Sequence, residues 1–79
     1  MPRFFFHIDD HVSEIDEDGQ ELPSAAEARV QAIMYVGALL RDEPALVWDG
    51  HQLEVRVTDS QGRPVTAVHV SAIDAPTRD

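Results

Sequence analysis

One segment of this chain can form a helix of ordinary length, and alternating sequence flanks it on both sides. In Pro23-Ser24-Ala25-Ala26-Glu27 a hydroxyl residue precedes a glutamate by three positions, the spacing of a capping box. The Ser24 hydroxyl is expected to accept from the Glu27 amide, and the Glu27 carboxylate to reach back to the Ser24 amide. A helix is predicted from there to about Asp42, because Pro44 cannot continue it. At about 100° per residue, Ala25, Ala28, Ala32, Tyr35, Val36 and Leu39 form an inward stripe, which Ile33 and Leu40 widen on one side. Glu27, Gln31 and Arg41 mark the opposite side, yet Val30, Met34, Gly37 and Ala38 lie there too. Two covers suit those apolar residues: the loop Ala45-Leu46-Val47-Trp48, or a partner chain.

Strand patterns surround this helix. From Arg3 to Ile8, Phe4, Phe6 and Ile8 share one face while Phe5 and His7 share the other. Asp9-Asp10-His11 reads as a turn, Val12 to Asp16 as a weak return strand, and Glu17-Asp18-Gly19-Gln20 as an Asp-Gly turn. After the helix, His51 to Thr58 alternates Leu53, Val55 and Val57 with Gln52, Glu54 and Arg56. Asp59-Ser60-Gln61-Gly62 turns the chain into a last strand, Arg63 to Ile73, whose Val68 and Val70 should join the Leu53 and Val55 face. The expected fold is α+β, in the order ββαββ: a four-stranded antiparallel sheet with one helix packed on one face. It forms a single domain over residues 1–79, ordered over about 2–74, with Ala75 to Asp79 fraying. The sheet's other face is then open, carrying Phe5, His7, Glu54, Arg56, His69 and Ser71.

Composition narrows the functional classes. The 79-residue chain has 15 acidic residues against six arginines and no lysine, for a formal charge of -9. Nucleic-acid and anionic-membrane partners are disfavoured, since both are bound by neutralising phosphate with basic side chains. With no cysteine, disulfides and thiolate chemistry are excluded. No stretch approaches the roughly 20 apolar residues that span a bilayer, and the N-terminus lacks a signal-peptide pattern, so a cytoplasmic location is expected.

Candidate chemistry is sparse. His7, Asp9 and His11 are metal-ligand types close together, suited to Zn, Ni or Mn, but their spacing matches no standard motif. Asp16-Glu17-Asp18-Gly19 resembles a fragment of a calcium loop whose glycine comes too early. His7 and His69 could meet near Glu54 on the open face, but acid-base work needs a pocket. The expected function is therefore a small protein-interaction or regulatory module without catalytic activity or cofactor, acting on a protein partner or on itself. The candidate contact residues are Phe5, Val30, Met34, Ala38 and His69. The alternatives are a metal-dependent or acid-base enzyme using the His7 cluster, and an acidic decoy of a basic protein surface.

Several segments together resemble a family of short bacterial proteins classed as a domain of unknown function. They are the opening Met1-Pro2-Arg3-Phe4-Phe5-Phe6-His7, the run Asp16-Glu17-Asp18-Gly19-Gln20-Glu21-Leu22-Pro23 followed by Ala25, Ala26 and Ala28, then Leu53-Glu54-Val55-Arg56-Val57 and Asp59-Ser60-Gln61-Gly62-Arg63-Pro64-Val65. The resemblance covers nearly the whole chain and implies a free-standing bacterial protein. It assigns no activity, cofactor or site residue. Such proteins tend to have a glycine-containing turn after Ile8, where this chain has Asp9-Asp10-His11.

Overall fold

The computed structural model describes residues 1–76, so Thr77 to Asp79 of the tail expected to fray lie outside the described residues. Alternation makes the three long strands, β1 (Arg3–Asp9), β4 (Leu53–Thr58) and β5 (Pro64–Val70), with two short ones between β1 and β4. β4 is central, pairing antiparallel with β1 on one side and β5 on the other. Its Leu53, Val55 and Val57 are wholly buried. Val70 stands opposite Leu53, and Val68 opposite Val55, as the alternation predicted. The β4–β5 turn is held by Asp59, whose carboxylate accepts from the amides of Gln61 and Arg63 and from the Arg63 guanidinium, each at 2.9 Å.

The outer edge of β1 departs from expectation. The predicted strand from Val12 to Asp16 shrinks to β2 (Ser13–Glu14), and a second short strand, β3 (Gln20–Glu21), pairs with the other end of β1. The sheet thus has five strands rather than four, in the order β2-β1-β4-β5 with β3 beside β1. Continuing the β2 register would set Asp16 opposite Phe6, whereas continuing the β3 register would set Asp18 there. Two residues are therefore looped out of what would otherwise be one edge strand.

Helix α1 (Ala25–Asp42) begins and ends where the sequence places it. The Ser24 hydroxyl accepts from the Glu27 amide at 3.3 Å, while the return bond from Glu27 is absent from the hydrogen bonds of the described residues. At the far end the Glu43 amide donates to the Leu39 carbonyl at 2.9 Å, and Pro44 follows. Ala28, Ala32 and Val36 bury against the face carrying Phe4, Phe6, Leu53 and Val55, with Tyr35, Leu39 and Leu40 at the margins. Small alanines let the helix sit close to the sheet, which narrows its inward stripe. Ala25 and Ile33, expected in or beside that stripe, are exposed.

Leu46 and Val47 are buried in this same core, while the neighbouring Trp48 is exposed. The loop expected over the outer helix face instead plugs the space between helix and sheet. Val30, Ile33 and Met34 are left 55%, 58% and 61% exposed. Among the described residues no helix is long and apolar enough to cross a membrane.

Candidate functional site

The loop between β2 and β3 is organised by one carboxylate. Asp16 Oδ2 accepts from the Phe6 amide at 3.1 Å, supplying the β1 edge with the acceptor that the missing strand would have given. Its Oδ1 accepts from the amides of Asp18 and Gly19 at 3.0 and 3.1 Å. Partial burial alone would push the Asp16 carboxyl up. The amides of Gly19, Phe6 and Asp18 outweigh it and hold the group below the usual carboxylate range. Gly19 closes the loop at φ 72°, where a Cβ would lie 2.8 Å from the Phe5 ring and 2.9 Å from the Phe4 carbonyl oxygen. The Asp16-x-x-Gly19 spacing is thus a device that folds the loop over β1.

That loop changes the face opposite the helix. Phe5 is half-buried beside Gly19, and His7 is 9% exposed, so neither stands on an open surface as expected. His7 Nδ1 accepts from the Asp16 amide at 3.2 Å, and Nε2 lies 3.0 Å from Thr58 Oγ1. An amide can only donate, so Nδ1 carries no hydrogen and Nε2–H donates to the threonine. Both ring nitrogens are engaged. Asp9 is half-buried two residues on, and His11 is exposed with its ring 5.4 Å from that of His51. Among the described residues no group of three or more His, Asp or Glu side chains is placed to hold a metal ion.

His69 lies opposite Glu54, with Nε2 3.9 Å from Oε2, and Glu54 also meets Arg56 at 3.4 Å. Glu54 pairs with Asp9 on β1, whereas His7 pairs with Arg56 one step along. The two histidines therefore belong to different rows of the sheet. The row of Asp9, Glu54 and His69, with Asp10 and His51, borders an open hollow of about 280 Å³.

The helix presents the other candidate surface. Opposite the buried Ala28, Ala32 and Val36 run Ala26, Val30, Ile33, Met34, Gly37 and Ala38, all exposed. Of the residues singled out from sequence, Val30, Met34 and Ala38 share this face. Phe5 and His69 lie on the far side of the sheet and do not join it. Sequence reasoning missed Ile33 here, because it placed that residue beside the inward stripe. It also missed Asp16, although the aspartate three residues before a glycine was a legible turn signal.

The family described as Domain of unknown function (DUF6894) matches residues 3–71. No curated protein matches the chain, and neither does any solved structure. With that match extending from the start of β1 to just past the end of β5, the chain belongs to this family, a domain of unknown function.

Proposed function

We propose that this protein is a small non-catalytic interaction module that docks through the outward face of α1. One observation carries the reading: Val30, Ile33 and Met34 are each more than half exposed along one line of the helix. A helix lying on a sheet ordinarily turns polar residues to water, and contiguous apolar surface marks contact sites. The buried polar groups serve the fold instead. Asp16 and His7 spend their hydrogen-bonding capacity on backbone amides and Thr58.

Site-specific photocrosslinking in intact cells tests this. A benzoylphenylalanine is placed at Met34 or, as control, at Ser60 in the exposed β4–β5 turn. The Met34 position should give one discrete adduct that unlabelled wild-type protein competes away, and Ser60 should not. The same adducts from both positions, or none from Met34, would reject the helix face as the docking surface.

A further inference from the structure

The partner that this face fits is a second copy of the chain. We infer that α1 pairs antiparallel with α1 of another molecule, about a two-fold axis passing between Ile33 and Met34. The inference rests on reading the outward helix face as a docking surface, and adds its occupant and register.

Charge is the first ground. The chain carries a formal -9, so most approaches of one copy to another are repulsive. The helix, like the three long strands, carries no net charge. Glu27 and Asp42 are balanced by Arg29 and Arg41, so the whole net negative charge lies outside α1. Two copies meeting helix to helix bring their neutral surfaces together.

Spacing is the second. The exposed line Ala26, Val30, Ile33 or Met34, Gly37, Arg41 advances in steps of four and three, the seam of a paired helix. It is symmetric about the point between Ile33 and Met34. An antiparallel two-fold there sets Val30 opposite Gly37 twice and Ile33 opposite Met34 twice, as an isologous interface requires. Gly37 is the third ground. Glycine disfavours a helix interior, and a Cβ at this position would meet nothing within 4 Å. No packing among the described residues calls for a glycine there. A notch that receives the partner's Val30 does.

The ends of the stripe fix the orientation. Glu27 and Arg41 lie on the same flank, and the Arg41 side chain is 81% exposed, reaching Asp42 at 3.8 Å and no other carboxylate among the described residues. The antiparallel arrangement brings Glu27 of each copy near Arg41 of the other. A parallel one would set Glu27 against Glu27 and Arg41 against Arg41.

Sedimentation equilibrium from about 10 µM to about 1 mM, with thermal melts on the same samples, tests the pairing. Gly37→Leu should raise the melting temperature, because leucine favours helix, yet weaken the dimer about ten-fold or more by filling the notch. Glu27→Arg and Arg41→Glu should each weaken it about five-fold, and the double reversal should restore it although it leaves the helix ends less well matched to the dipole. A chain monomeric at the highest concentration overturns the pairing. So does a dimer that ignores Gly37→Leu, or one that the double reversal does not recover. A monomeric chain whose Met34 crosslinks a different protein defeats self-pairing and leaves the docking face standing. A dimer indifferent to all these variants, with no Met34 adduct, defeats both.

Discussion

Asp16 shows how one side chain can replace a piece of secondary structure. Its carboxylate accepts from one amide on the sheet edge and two in its own loop. Asp16→Ala strands those donors and should cost about 1–3 kcal/mol in urea denaturation. Asp16→Asn keeps an acceptor oxygen and should cost less; equal losses for the two variants would mean that the acceptor geometry is not what matters. The pH dependence follows from the sign of the shift. Since the folded-state pKa lies below the unfolded value, the stabilisation is complete above about pH 4 and is lost as pH falls through the folded pKa. Asp59 is also held low, chiefly by the Arg63 amide, which with the Gln61 amide and the Arg63 side chain outweighs desolvation. Stability should therefore decline on acidification below about pH 4, and Asp16→Asn should flatten that decline in part, as read from urea midpoints between about pH 2 and 7.

At the scale of elements, α1 has two faces with different duties. The inner one is small and tight: Ala28 and Ala32 are wholly buried. The outer one is apolar and exposed among the described residues, so the start of the helix must be secured locally. The Ser24 cap is that device, with Leu22 just before it tied by its amide to the Pro2 carbonyl at 3.0 Å. Ser24→Ala should lower stability by about 1 kcal/mol, and Ser24→Asp should recover it. Urea midpoints for the three proteins give the check. An alanine variant as stable as wild type would show that tertiary packing, rather than the cap, holds the first turn.

Over the whole molecule, the core rests on few residues. Leu53, Val55 and Val57 on the central strand are wholly buried, and α1, Phe4, Phe6, Leu46 and Val47 pack around them. At ~0.05–0.15 kcal/mol per residue a chain this size has only several kcal/mol of net stability. Leu53→Ala should remove about 2–5 kcal/mol of it, leaving a fold that melts near or below room temperature, as circular dichroism would record. A melting temperature unchanged within a few degrees would place the centre of the core elsewhere. The surplus of acidic charge adds self-repulsion to this thin margin, and a neutral helix face that pairs with another copy would offset it by adding buried area.

What the sequence alone determined was local. Ser24, Glu27 and Pro44 bound the helix, because caps and breakers act within a turn of their own position. Alternation assigned Phe4, Phe6, Leu53, Val55, Val68 and Val70 to one face, because a strand's period is two whatever it pairs with. Tertiary structure alone decided what lies over each face. Two-residue strands such as Gln20–Glu21 have no periodicity to read and exist only because β1 offers an edge. The loop that buries His7 is placed by bonds from Asp16 to a strand ten residues earlier, and Leu46 and Val47 fill a gap that appears only once helix and sheet have met. Periodicity records which side chains share a side. Their cover depends on which distant backbone groups and volumes remain unsatisfied after the elements pack.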